Sequence, residues 1–252
     1  MEGYGPGTYG DRFADVYDEW YGDVSDVAAT VERVVALVEG AGGGPVLELG
    51  GGSGRLALPL ADAGLETWSI DASAAMVDRL RAKPGGDRVR AVVGDMAALD
   101  LGDAPPFAVV LCAFNTFFNL TTTAAQRRCL AGVAAALAPA GRFVLEAFVP
   151  PAADEEDAAV SSVEPRHIGL DEVVLTVSRL DPATRTVTGQ HVQLTEAGGV
   201  RLRPWVLHYA SPDQLDALAE GAGLRLVERH ADWRREPFTA ASGTHVSTYG
   251  RL

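Results

Sequence analysis

The chain has 252 residues, 47% of them apolar, which suits one α/β domain with an insertion or at most two small domains. Its 21 basic and 34 acidic residues leave a formal net charge of −13, which repels a phosphate backbone and argues against nucleic acid as substrate. No apolar run approaches the roughly 18 residues that cross a bilayer, and Met1-Glu2-Gly3-Tyr4 does not read as a secretory signal, so a cytoplasmic protein without a membrane partner is expected.

Residues 9–40 read as two helices. The first, from Asp11 to Tyr21, is rich in aromatics: Phe13, Tyr17, Trp20 and Tyr21. The second carries Val27, Val31, Val34, Val35 and Val38 at the spacing of a core-facing helix. Residues 45–49 then form a short apolar strand, followed by the turn Gly50-Gly51-Gly52-Ser53-Gly54 and a short helix closing at Gly64. A second strand, 66–70, ends at Asp71, and Ser73 caps the next helix. A third strand, 89–93, runs into Gly94-Asp95-Met96. A fourth, 107–113, runs into Phe114-Asn115-Thr116-Phe117-Phe118-Asn119, and a fifth spans 141–147. Apolar strands alternating with helices imply a parallel sheet covered on both faces. Cys112 falls in a strand and Cys129 in a helix, so both read as buried free thiols, and no Cys/His spacing suggests zinc.

Beyond residue 150 the pattern changes. Residues 150–157 are proline-led and acidic and read as a linker or exposed loop. Residues 163–210 read as β-hairpins, with strands at 173–179, 186–194 and 200–209 broken by Asp181-Pro182 and Gly198-Gly199. Ser211-Pro212-Asp213 opens a helix that ends at Gly221 or Gly223, and 224–230 and 244–250 are the last strands. No internal repeat is present.

The glycine turn decides the functional reading. Gly50, Gly52 and Gly54 follow G-x-G-x-G, with Glu48 two residues before the first glycine. A dinucleotide fingerprint would need its third glycine where Arg55 stands, which disfavours an NAD-binding dehydrogenase. The turn and its acid resemble motif I of the class I S-adenosylmethionine (SAM) methyltransferases. Asp71, Asp95 and Met96 follow in the order and on the elements that this resemblance requires. It implies an α/β, Rossmann-like fold: a seven-stranded, mostly parallel sheet with helices on both faces and an inserted antiparallel β-sheet as a roof. Residues 1–150 and 211–252 would form the cofactor-binding core, and 151–210 the insertion. The element order is similar to the antibiotic amino-sugar N,N-dimethyltransferases and the glycine/sarcosine N-methyltransferase-like enzymes.

The resemblance carries over residue by residue. Glu48, Gly50, Gly52 and Gly54 match motif I. Asp71, with the adjoining Ala72, matches the acid that holds the ribose. Asp95 would meet the adenine amino group, and Met96 would lie on the ring. Ala113 and Phe114 would lie under the methionine part of SAM. Tyr17 and Tyr21 resemble tyrosines that close over the cofactor; plain helix packing is the other reading. Met76 reads as core.

The reacting end is thinner. Asn119 stands where relatives place a group near the methyl; an amide cannot act as a base, but its carbonyl oxygen can orient an amine. His208 is the other catalytic candidate. By alternation it shares a face with Leu202 and Val206, opposite Arg203, Trp205, Leu207 and Tyr209. Trp20, Phe118, Glu146, Arg203, Trp205, Tyr209 and Trp233 are the candidate substrate-binding residues. His167, His191, His230 and His245 read as surface or structural. Asp103-Ala104-Pro105-Pro106-Phe107 looks like the signature of enzymes that methylate base amino groups, but it precedes the fourth strand instead of following it. No acidic triad follows that strand to hold magnesium, so no metal is expected.

The reading is a SAM-dependent methyltransferase, releasing S-adenosylhomocysteine (SAH), whose partner is a small-molecule acceptor. By resemblance the acceptor is an amine. The alternatives are a natural-product O-methyltransferase that uses His208 as base, and a SAM-binding protein without turnover. An exposed edge of the inserted sheet could pair across a homodimer.

Overall fold

Short apolar strands buried on both faces need helices above and below them, and the computed structural model, which describes residues 1–22, 24–150 and 159–252, is built on that requirement. In chain order the elements are α1 (Thr8–Phe13), α2 (Tyr17–Tyr21), α3 (Val27–Gly40), β1 (Val46–Leu49), α4 (Ala57–Asp62), β2 (Thr67–Asp71), α5 (Ala74–Ala82), β3 (Val89–Val93), β4 (Phe107–Cys112), α6 (Thr123–Ala136) and β5 (Leu137–Phe148). There follow β6 (Val160–Ile168), β7 (Glu172–Asp181), β8 (Thr186–Thr195), β9 (Val200–His208), α7 (Pro212–Glu220), β10 (Leu224–His230) and β11 (Thr244–Arg251). The expected linker lies, but for Pro150, outside the described residues.

One sheet has seven strands in the order β10-β11-β5-β4-β1-β2-β3. It is parallel except where β11 lies antiparallel between β5 and β10. Alternation along the strands separates two cores. Leu47, Val110, Cys112, Phe143 and Leu145 face α6 and α7. Val46, Val109, Leu111 and Val144 face Val34 and Val38 of α3. Both thiols are buried and free. Among the described residues no helix is long and apolar enough to cross a membrane.

The second sheet is antiparallel, in the order β6-β7-β8-β9. It holds a strand that the sequence reading did not separate. β6 is exposed almost throughout and shifts register between Pro165 and His167, so it lacks the buried alternation by which a strand is recognised. Proline stands on both outer strands, Pro165 on β6 and Pro204 on β9, where a missing N–H costs no ladder bond. The single aromatic helix expected at 11–21 is two. Between them Asp15 turns out of the helix to meet Arg203 and Arg201 of β9. That break buries Phe13 and sends the aromatic side chains of α2 under the roof.

Several helix ends follow their sequence signals closely. Ser73 accepts the Met76 N–H, and Ser211 forms a full capping box with Gln214 behind Pro212. β5 starts earlier than expected because 137–141 bulges: Phe107 pairs with Leu137 but Val109 pairs with Arg142.

Candidate active site

The strand order reverses between β1 and β4, which opens a crevice at the carboxyl ends of the strands. The glycine turn lines it. Gly50 has φ +64°, its N–H donates to Ile70 O at 2.7 Å, and a Cβ there would run into the Thr116 side chain. Gly52 has φ +55°, and its N–H donates to Asp71 Oδ2 at 2.9 Å. The other oxygen of Asp71 accepts the Ser73 N–H at 2.8 Å. Burial raises the pKa of this carboxyl, and the two backbone donors oppose the shift. Asp95 Oδ1 accepts the Ala97 N–H at 2.8 Å and caps the 3₁₀ turn Met96–Ala98.

Glu48 lies beneath the turn, 5% exposed, and its Oε2 has no hydrogen-bond partner. Burial pushes its pKa up to about 8, against the pull of Arg55. At pH 7 this buried acid is largely protonated, and a cation brought against the turn above it would favour its ionised form.

The cavity has a volume of about 270 Å³. Gly50, Gly52, Asp71, Ala72, Asp95 and Met96 form its floor. Tyr4, Pro6, Tyr9 and Tyr17 close it from the N-terminal segment, and Thr116, Asn119 and Arg128 complete the wall. Asn119 Oδ1 is buried with no hydrogen-bond partner. The Tyr17 ring packs near Gly52, and burial pushes its phenol to about 12.

The N-terminal helices are fastened to the cofactor loops by hydroxyl–carboxylate bonds. Ser73 Oγ donates to Asp11 at 2.6 Å, and Ser53 Oγ donates to Asp18 at 2.5 Å, where Lys83 and Arg79 also pair. On the roof side Arg203 donates to both oxygens of Asp15, at 2.6 and 2.9 Å, and to Arg12 O. The Val206 N–H donates to the Tyr4 hydroxyl at 3.3 Å.

The structure therefore brings together Tyr17, Gly50, Gly52, Asp71, Ala72, Asp95, Met96 and Asn119 around one cavity. Other candidates stand one layer back. Tyr21 stacks behind Tyr17 at 5.0 Å, and Phe114, at φ +48°, lies 6.2 Å from Tyr21. Its N–H donates to Glu146 Oε2 at 2.8 Å, so Glu146 holds the backbone of the loop after β4. Gly54 packs on Leu58 and Leu80, and Ala113 belongs to the α3-side core. Met76, read as core, is buried but also reaches the cavity wall.

The reacting-end candidates mostly lie elsewhere. His208 is not at the cavity: its Nε2 lies 3.0 Å from Thr123 Oγ1, where it ties β9 to α6, and burial beside Arg185 lowers its pKa. Phe118 and Tyr209 pack with Phe148 in the core, and Trp233 packs in the core on the opposite face of the sheet. Arg203 is committed to Asp15. Trp20 and Trp205 flank His191 under the roof, at 5.8 and 6.2 Å. Sequence reasoning missed Tyr4, Tyr9 and Arg128 at the cavity. The run Tyr4-Gly5-Pro6-Gly7, with Tyr9 just after it, was the available signal for two of them.

This donor set fits SAM. Asp71 and Asp95 present carboxylate oxygens at the cavity that would suit ribose hydroxyls and an adenine amino group, and Met96 an apolar side chain that would suit the ring. Glu48 is a buried acid under the turn that a cationic tail would ionise. When bound, SAM supplies a methyl group made electrophilic by its sulfonium.

Comparison with known proteins agrees. Residues 46–141 match the methyltransferase domain family. The CcbJ methyltransferase from Streptomyces caelestis is 42% identical over 99% of this chain and 100% of its own, with a TM-score of 0.89. A cypemycin N-terminal methyltransferase from Streptomyces is 28% identical over 94% of this chain and 95% of its own. The sugar N-methyltransferase KedS8 from Streptoalloteichus, 22% identical over 100% and 99% of the two chains with a TM-score of 0.68, shares the fold.

Proposed function

This chain belongs to the SAM-dependent methyltransferases, and on that premise we propose that it methylates an amine nitrogen of a small natural product. The observation that carries the choice is Asn119, whose buried Oδ1 has no partner at a cavity whose described lining residues include no histidine. An amide oxygen can only accept a hydrogen bond. It can hold an amine N–H with the lone pair directed away from it, but it cannot remove a hydroxyl proton. Tyr17, with its phenol held at about 12, is neutral at pH 7.

Displacement from a sulfonium needs little chemical help beyond alignment and exclusion of water. The nitrogen lone pair forms the new N–C bond as the S–C bond breaks, leaving SAH, and the ammonium then loses its proton to solvent. Asn119 orients the nitrogen, while Tyr4, Tyr9 and Tyr17 screen it from water. Residues 1–150 and 211–252 act in this reading as the cofactor-binding core, and 151–210 as the cover over the acceptor. Two similar proteins support an amine: a cypemycin N-terminal methyltransferase and a sugar N-methyltransferase.

The test is a screen of paired amines and hydroxyls with SAM, with products placed by NMR. N-methylated products support the reading; a methyl ether as the main product would sink it.

A further inference from the structure

The methyl-transfer reading leaves unused a buried imidazole with partners on both nitrogens. His191 of β8 is 6% exposed. Its Nδ1 lies 3.0 Å from Thr176 Oγ1 on β7, and its Nε2 lies 3.5 Å from the Tyr21 hydroxyl on α2. Aromatic rings surround it: Phe13 at 5.6 Å, Trp20 at 5.8 Å and Trp205 at 6.2 Å. Trp205 reaches this box because β8 carries Gly189 opposite it; a Cβ there would strike the indole.

The imidazole is neutral at physiological pH. Burial, with Arg166 and Arg203 nearby, lowers its pKa to about 4. A neutral imidazole carries one N–H and one lone pair. In the tautomer whose Nδ1–H donates to Thr176 Oγ1, Nε2 accepts the Tyr21 O–H. In the other, the Thr176 hydroxyl donates to Nδ1 and Nε2–H donates to the Tyr21 oxygen, and both contacts are kept either way. Tyr21 in turn stacks on Tyr17 at 5.0 Å, with 30° between the planes, and Tyr17 walls the cavity near Gly52. An unbroken chain of contacts thus runs from the roof to the cavity wall: Thr176, His191, Tyr21, Tyr17. Other anchors between roof and N-terminal segment, Arg203 and Arg201 on Asp15 and Tyr4–Val206, hold the break between α1 and α2 and the residues before α1. On α2, Arg166 meets the backbone carbonyl of Trp20 and the ring faces of Trp20 and Tyr21, and Arg203 lies over the Trp20 ring at 5.4 Å. None of those contacts takes up the Tyr21 hydroxyl.

We propose that His191 is a positioning residue for methyl transfer: anchored by Thr176, it holds the Tyr21 hydroxyl and so sets the Tyr17 ring against the cofactor turn. It touches neither cofactor nor acceptor. Its effect falls on alignment, and therefore on kcat more than on SAM affinity. The proposal rests on the methyl-transfer reading for its purpose, but not for its test.

Hydrogen–deuterium exchange of residues 17–21 in the SAH complex needs no acceptor, so it decides the proposal even if the amine screen fails. His191→Phe keeps the aromatic packing and removes both polar contacts. His191→Gln keeps an acceptor for the Tyr21 hydroxyl, and Thr176→Val frees the imidazole without touching the box. Expected are exchange at least tenfold faster at 17–21 in His191→Phe, a smaller increase in Thr176→Val and near wild-type protection in His191→Gln. SAH affinity should stay within threefold throughout. With any amine found in the screen, kcat should fall at least tenfold in His191→Phe and recover in His191→Gln. Unchanged exchange in His191→Phe would overturn the proposal. So would equal loosening in the Phe and Gln variants, or a loss of SAH binding and melting temperature without selective loosening of 17–21.

Discussion

The cofactor floor and the cover above it are made of different material. On the floor, backbone geometry dominates: two glycines at positive φ, a strand-end carboxylate held by two N–H groups, and a 3₁₀ turn capped by Asp95. In the cover, side chains dominate: an Arg203–Asp15 fork, a tyrosine hydroxyl on an edge N–H, and an imidazole in an aromatic box. The floor tolerates little variation because a glycine turn has few solutions. The antiparallel sheet is held by side-chain contacts, which can change without disturbing the parallel sheet beneath.

The largest effect should follow from breaking the floor. Asp71→Ala removes the cavity carboxylate that would hold the ribose and also the acceptor for the Gly52 and Ser73 N–H groups. SAM affinity should fall at least about a hundredfold, the sum of a lost charged contact and a loosened turn. Calorimetry measures it; binding within tenfold of wild type would mean that the turn does not depend on Asp71.

Next comes a change at the boundary between the two regions. Asn119→Ala should leave SAM affinity unchanged and cut kcat/KM for the amine by roughly ten- to a hundredfold, the usual range for one orienting hydrogen bond. His208→Ala is its control. This residue braces β9 against Thr123, away from the cavity, so steady-state kinetics should stay within threefold of wild type. A pH-dependent collapse of turnover in His208→Ala would reinstate it as a base.

This contrast also accounts for what the sequence revealed. Gly50, Gly52, Asp71, Asp95 and Met96, picked out by their resemblance to methyltransferase motifs at strand ends, do line one cavity, with Glu48 beneath the turn. A parallel sheet covered on both faces followed from the alternation of apolar strands and helices, but its strand order did not. His208 could not be placed, because alternation gives two faces to a strand but not which face meets a cavity, and Phe118 and Trp233 lie in turns after β4 and β10, which carry no periodicity at all. His208 lies on a buried face, yet what covers it is α6, some eighty residues earlier in the chain. Tyr4 and Tyr9 precede any regular pattern. His191 looked like one more strand histidine, and only the fold puts it between two tryptophans.

A third test compares the regions in acid. Burial depresses His191 of the cover and His245, behind the floor on β11, to about 4. Both are neutral in the fold, while in the unfolded chain they bind protons below about pH 6.5. Stability from these groups is therefore present above pH 6.5 and is lost as pH falls toward 4. The melting temperature should drop by roughly 5 °C or more over that window. His191→Gln should flatten the slope and His245→Gln should flatten it independently, since the two sit in different parts of the molecule. If neither variant changes the slope, the acid loss comes from carboxylates instead.

The smallest effect, and the sharpest for the floor, concerns Glu48. Its carboxyl is raised to about 8, so the folded state keeps a proton that the unfolded chain loses near the ordinary carboxylate value. The stability it contributes is complete below about pH 4.5 and declines as pH rises through 8. Glu48→Gln should therefore melt with wild type at pH 5 and a few degrees above it at pH 9, without cofactor. SAM reverses the ranking. A cation brought against Glu48 favours its ionised form, so binding to wild type near pH 7 should release a proton, whereas binding to Glu48→Gln should release none and be weaker. Calorimetry in two buffers of different ionisation enthalpy reads the proton directly. Equal proton release by the two forms would place the cationic tail of SAM away from Glu48 and would assign the buried acid to the turn alone.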